Sequence, residues 1–281
     1  MIPGAEYIYQ CPNCNNLLKR GSLISGNTFG ATLFSDGKQI APMLPDFPNL
    51  TKCKKCNAIF KISELKEVGT YNMWERDGLQ KKQKNIMIRV FLPFWLSFSL
   101  SFVLISVIID TALCRFFANN IFLSIMIFAV ITIMIFLLLS RKEIRKYKMK
   151  NKAKKADSVE FLDVADLFRA LKIYPQDELY IRQCIWWKEN DYARRFLKYN
   201  EKQDLSDIVR YDEENCNALL KLLDKNEYGQ KIMMAELYRN LGQFDICMEL
   251  IETLPLNCHW LKWQFKEECV KKNRFVIQLK Q

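Results

Sequence analysis

Two stretches of the chain run for twenty positions without a charged residue: Val90 to Ile109 (VFLPFWLSFSLSFVLISVII) and Ile121 to Ser140 (IFLSIMIFAVITIMIFLLLS). About 20 apolar residues in a helix cover the ~30 Å hydrocarbon core of a bilayer. The pattern therefore predicts a two-helix transmembrane hairpin over 90–140, with spans at 90–109 and 121–140. Ser97, Ser101, Ser106, Ser124, Ala129 and Thr132 are small enough to let two such helices approach closely. Neither run holds an ionisable group, so an anchor is expected rather than a transport pathway.

On either side of this hydrocarbon the periodicity changes. Before it, short strand-like pieces alternate with turns: EYIYQ at 6–10, TLF and QI around an Asp36-Gly37 turn, and AIFKI at 58–62. The intervening APMLPDFP carries three prolines and is expected to be extended. After Asp157 the apolar spacing becomes helical. Phe161, Val164, Ala165, Phe168 and Leu171 form one stripe, with Asp157 or Ser158 as cap and Pro175 as stop. Further helices are expected at DELYIRQCIWWKENDYARRFL and DEENCNALLKLLD.

Charge refines this picture. Residues 1–85 hold 12 Lys/Arg against 7 Asp/Glu, residues 86–150 hold 8 against 2, and residues 151–281 hold 22 of each. The excess of base brackets the apolar runs, most strongly in RKEIRKYKMKNKAKK at 141–155. By the positive-inside rule this places both termini in the cytoplasm, in a multi-pass protein of the cell (inner) membrane. The same basic run is expected to meet anionic lipid headgroups, so the lipid bilayer itself counts among the expected partners. The segmentation is then a front domain over 1–80, a basic linker at 81–89, the hairpin at 90–140, a basic juxtamembrane segment at 141–156, and a cytosolic helical domain over 157–281.

The front domain carries the candidate chemistry. CPNC places Cys11 and Cys14 two residues apart, and CKKC does the same for Cys53 and Cys56. Two such pairs can wrap four thiolates around one Zn²⁺. In a reducing compartment this outweighs a disulfide staple. Asn15 and Asn57 follow the second cysteine of each pair, where a left-handed backbone is often wanted. With strands leading in and out, residues 5–70 resemble a zinc ribbon, although the 38 residues between the pairs exceed what a compact ribbon carries. The resemblance implies one structural zinc on Cys11, Cys14, Cys53 and Cys56. An iron–sulfur cluster on the same thiolates, or four buried unliganded thiols, are the alternatives. Gly26, Asn27 and Gly30 suggest a phosphate cradle, but the loop has neither a P-loop ending nor a dinucleotide fingerprint, and it reads as ordered loop and sheet.

Near the other end, Ala235, Tyr238, Gly242, Phe244, Cys247, Ile251 and Leu254 fall at the spacings of the latter half of a tetratricopeptide repeat. This single helix pair resembles that repeat without its Trp/Leu start or final proline, and it implies protein–protein contact. A zinc-ribbon front joined to a helical tail looks like the plan of an uncharacterised bacterial membrane-protein family, and that likeness imports no activity. Trp186 and Trp187, with Arg182, Asn190, Asp191 and Arg194, offer an aromatic-rimmed polar pocket or a core tryptophan with an ion-paired edge, of which the second is preferred. Cys184, Cys216, Cys258 and Cys269 read as small core residues.

The fold class expected is thus multi-domain: a small β-rich zinc ribbon, a transmembrane hairpin, and an all-α C-terminal domain with a repeat-like helix pair. No nucleophile–base pair, paired catalytic carboxylates or cofactor fingerprint is present, so a non-enzymatic, membrane-anchored scaffold or adaptor facing the cytosol is expected, with a protein partner. The alternatives are a membrane-tethered nucleic-acid-binding ribbon using Lys52, Lys54, Lys55 and Lys61, and an enzyme using the 21–50 loop or the Trp186 region.

Overall fold

A computed structural model describes residues 1–72, 148–199 and 209–280. Its strands, in chain order, are β1 (Ile2–Pro3), β2 (Glu6–Gln10), β3 (Leu17–Arg20), β4 (Leu23–Ser25), β5 (Thr32–Leu33), β6 (Gln39–Ile40), β7 (Leu50–Lys52), β8 (Ile59–Lys61), β9 (Lys66–Tyr71) and β10 (Asp157–Ser158). The bounded helices are α1 (Val164–Ile173), α2 (Glu178–Tyr199), α3 (Glu213–Leu222), α4 (Tyr228–Asn240), α5 (Phe244–Glu252) and α6 (His259–Val270). The chain divides into two units that interleave along the sequence. The larger takes Met1–Ile2, Leu23–Glu64 and Val159–Gln281, and the other takes Pro3–Ser22 and Leu65–Ser158.

The second unit is built on a four-stranded sheet in the order β10-β3-β2-β9. Antiparallel pairing sets Tyr7 opposite Arg20 and Gln10 opposite Leu17, while β10 lies parallel to β3. The sequence EYIYQ buries only its central residue, Ile8, as a strand with one covered face requires. Ile8 packs with Met149, Ala153 and Ala156, so the helical turns at 148–155 cover the sheet with their small and flexible side chains. A register shift between Ile8 and Tyr9 accompanies Gly69, whose φ of +146° suits glycine alone.

In the larger unit, helix α1 begins later than its apolar stripe suggests. Asp163 is the cap, its carboxylate accepting the Asp166 N–H at 2.7 Å, whereas Asp157 and Ser158 form strand β10. The reason is local: the capped turn places Leu167, Ala170 and Tyr174 inward, and Phe161, one turn upstream, is left 52% exposed. Pro175 ends the helix as expected. Leu162, Leu167 and Ala170 of this region, Ile181 and Ile185 of α2, and Leu50 and Ile59 of the β7–β8 hairpin form one core. A second core joins Trp186 of α2 to Cys216, Leu219 and Leu223 around α3 and to Leu237 of α4. A third is gathered by the helix pair α4–α5 and by α6, around Ala235, Cys247, Ile251, Leu254, Leu261 and Phe265. The turn between α4 and α5 passes through Gly242 at φ +78°, and fully buried Cys247 occupies the close approach.

Glu189 on α2 holds the entry to α3. One of its carboxylate oxygens accepts the Asp212 N–H at 3.1 Å, and the other is buried without a hydrogen-bond partner among the described residues. Burial raises its pKa from 4.5 to about 7, and the nearby Asp212 carboxylate adds to the rise. Between those two values the folded chain binds the proton that the unfolded chain releases, so stability falls as pH rises through this window. Glu189→Gln keeps the acceptor and removes the charge. Thermal unfolding measured at both pH values should show that wild type loses about 2 to 3 kcal/mol more than this variant between pH 5 and pH 8. Parallel pH profiles would contradict the assignment.

Among the described residues no helix is long and apolar enough to cross a membrane. The longest, α2, has 22 residues but carries Glu178, Arg182, Lys188, Glu189, Asp191, Arg194 and Arg195 along its length. The runs expected to span, 90–109 and 121–140, lie outside the described residues, as do the 81–89 linker and residues 141–147. The expected fold class is therefore corrected. It consists of small β-sheets and helices, and the transmembrane hairpin is unsupported. The location as a multi-pass protein of the cell (inner) membrane, which rested on that hairpin, falls with it.

Candidate metal centre

Each cysteine pair sits on a tight turn of the same construction. In the first, the Asn15 N–H donates to the Cys11 carbonyl at 2.9 Å and the Cys11 N–H donates to the Asn16 carbonyl at 2.8 Å. In the second, Asn57 donates to Cys53 at 2.8 Å and Cys53 donates to Ala58 at 3.0 Å. Asn15 and Asn57 adopt φ values of 58° and 55°, the left-handed conformation that Asn tolerates better than most residues. This turn points both thiols of a C-x-x-C pair to one side. Strand β2 delivers the first turn, and the hairpin β7–β8 closes on the second.

The result is a gathering of sulfur. The Sγ atoms of Cys11, Cys14, Cys53 and Cys56 all lie within 4.8 Å of one another. Cys11 and Cys53 are fully buried, and Cys14 and Cys56 are half-buried. Four thiolates about 2.3 Å from a tetrahedral ion stand roughly 3.8 Å apart, so sulfurs that all lie within 4.8 Å of one another suit a single coordination shell. The four residues named from the sequence are thus brought together, and they can hold one metal ion, consistent with zinc. Thiolate-only donors suit zinc or iron and disfavour calcium or magnesium.

The second turn is tied into the larger unit by its lysines. Lys52 pairs with Asp166 at the start of α1, Lys54 with Glu160 at 2.6 Å, and Lys61 with Asp177 at 2.8 Å. The Thr51 hydroxyl bonds the Glu160 carbonyl at 3.2 Å, and the Tyr174 hydroxyl accepts the Lys61 N–H at 3.2 Å. Three of the four lysines considered for nucleic-acid binding therefore already face carboxylates.

The Trp186 region is divided. Trp186 is fully buried, its indole N–H donating to Asn240 at 2.8 Å, and Arg182 pairs with Glu178 at 2.7 Å. Asn190 and Arg194 converge on Asp36 of the Asp36-Gly37 turn, which is also fully buried. Arg194 further donates to Asp191 at 2.6 Å and to the Trp187 carbonyl at 2.8 Å. Burial lowers its pKa to about 10, still well above neutrality. Beside this lies a second buried pair, Glu236 and Arg239, bonded at 2.6 and 2.9 Å, with the Ser35 hydroxyl donating to Glu236 at 2.7 Å. Asp36 carries a turn signal and Glu236 a helix-surface signal in the sequence, so neither announces a buried ion pair.

Cys216, Cys258 and Cys269 are buried as expected, whereas Cys184 is half-buried and lines a cavity of about 440 Å³ with Lys38, Tyr180, Trp187 and Lys188. The loop before β7 contributes Asp46, Phe47 and Asn49 to the same cavity. Sequence reasoning passed over Tyr180 and Lys188, which carry no motif. Compared with family models, with curated proteins and with solved structures, the chain finds no match.

Proposed function

We propose that this chain is a non-enzymatic scaffold: one structural zinc on Cys11, Cys14, Cys53 and Cys56 fixes the zinc-ribbon-like front, and the helices present a surface to another protein. The observation that carries this reading is the four-sulfur cluster itself. A four-thiolate shell leaves no position for water or substrate, so such a metal holds structure rather than driving a reaction. The exposed side chains of the last helices agree with a role in contact. Trp263 is 65% exposed, with Leu256 and Val270 more so, on the elements that follow the helix pair likened to a tetratricopeptide repeat. Nucleic-acid binding by the ribbon is less favoured, because Lys52, Lys54 and Lys61 would have to give up carboxylate partners to meet phosphates.

Two measurements test the proposal together. Elemental analysis of the purified full chain should return one zinc per chain. Proximity labelling in cells from a tag on the last residue should enrich a protein that Trp263→Asp releases while zinc content stays unchanged. Less than half a zinc per chain, or a labelling pattern indifferent to Trp263→Asp, would sink it.

A further inference from the structure

The cavity in the larger unit points to a ligand the metal reading does not require. At about 440 Å³ it falls within the ~300–1,000 Å³ range of small-molecule sites. Its apolar wall is made by Leu50, Leu162 and Leu167, which also belong to the unit's core and are therefore held in place. Phe161, Tyr180 and Trp187 add flat aromatic surface. Of these, Trp187 is fixed by its indole N–H, which donates to the Asp36 carbonyl at 3.1 Å.

The charges around this wall are unequal in their commitments. Asp191 accepts from Lys38 at 2.7 Å and from Arg194 at 2.6 Å, so it is satisfied twice and Lys38 once. Asp46 is exposed to solvent. Lys188 is half-buried, and its ammonium stands 6.0 Å from the centre of the Phe161 ring. Among the described residues it forms no ion pair. The Cys184 thiol, one turn earlier on the same helix, has its pKa raised by burial, so it remains a neutral thiol and does not supply an anion to Lys188.

We propose that this cavity binds a small amphipathic organic anion, whose apolar body lies against the leucine and aromatic walls and whose carboxylate or similar group rests on Lys188. A fully hydrated inorganic ion would leave the leucine wall uncovered, and a neutral apolar molecule would bring Lys188 no anion, leaving its ammonium to water and the Phe161 ring. A charge-assisted hydrogen bond at a half-shielded site is stronger than one in open water.

The test is isothermal titration of the purified full chain with octanoate, octanol and octylamine, three probes of one length and different charge. Octanoate should bind at least about tenfold more tightly than octanol, the gain expected from one charge-assisted hydrogen bond. Lys188→Met should erase that preference without weakening octanol, and Lys188→Glu should transfer it to octylamine. Lys188 lies at a half-exposed helix position, so these variants are expected to fold, which unchanged melting curves would verify. A smaller preference for octanoate in wild type, a preference that survives Lys188→Met, or failure of all three probes to bind overturns the proposal. Leu50 of the cavity wall lies on the β7–β8 hairpin that carries the Cys53 turn, so zinc is measured on the same samples, and a failure to bind with metal present overturns this proposal while the metal reading stands.

Discussion

With zinc on the four sulfurs as proposed, chelating it, or replacing fully buried Cys53 by Ser, is expected to cost this chain more stability than any other single change. A structural zinc on thiolates contributes on the order of 10 kcal/mol to folding, because the site does not exist in the unfolded chain. The loss should spread beyond the cysteines. Leu50 and Ile59, which flank the second turn on β7 and β8, are buried with Leu167, Ala170, Ile181 and Ile185. Releasing the Cys53 turn frees that hairpin and exposes its side of the core. Calorimetry with and without a strong chelator measures this directly, with Cys53→Ser compared at equal pH. The melting transition should broaden and fall by tens of degrees, and zinc should restore wild type but not the variant. Superimposable transitions in chelator and in zinc would mean that the four sulfurs hold nothing of structural consequence.

The second large effect is expected at Asp36. Its carboxylate is fully buried and meets Arg194, whose side chain is 3% exposed, while Asn190 donates to it at 3.0 Å. Removing one member of such a pair leaves the other charge desolvated, which costs about 3 to 5 kcal/mol. Asp36→Ala should therefore unfold at markedly lower denaturant, with Asp191 the one carboxylate still bonded to Arg194 among the described residues. Arg194→Met should cost a similar amount. The double variant should recover a large part of the loss, since two absent charges need no compensation. An exposed pair provides the contrast: Lys54→Ala, which breaks the contact with Glu160, should change stability by less than about 1 kcal/mol because water screens it. If Asp36→Ala behaves like Lys54→Ala, or if the double variant is simply the sum of its parts, the buried pair is not the fastening that its geometry indicates.

These two sites differ in how far the sequence foretold them. The metal cluster was legible because its information is local. C-x-x-C spacing followed by Asn specifies a turn of known shape, and two such turns offer four thiols that could hold one ion. The strand at Glu6–Gln10, the Asp36-Gly37 turn and the Pro175 stop were legible for the same reason. The start of α1 was not, because Asp157, Ser158 and Asp163 are all acceptable caps. Pairing of Asp157–Ser158 with β3 removed two of them from the contest.

Purity of an apolar run is also local information, and it led to the transmembrane hairpin. Among the described residues, the one helix with sufficient length is studded with charge. Its charged side chains are explained by the cores and ion pairs around it, not by the pattern along its axis.

Local information thus sufficed for the turns, for the strand at Glu6–Gln10 and for the four residues fit to hold a metal, since backbone preference and ligand spacing act across a handful of neighbouring positions. Tertiary structure alone decided that Asp36 would be neutralised by Arg194, 158 positions away, that Lys52 and Lys61 would be spent on α1 and the turn after it, and that Lys188 would be left beside a cavity. The physical reason is that the energy of a charge depends on whether water or a partner surrounds it, and that is settled only when distant segments meet.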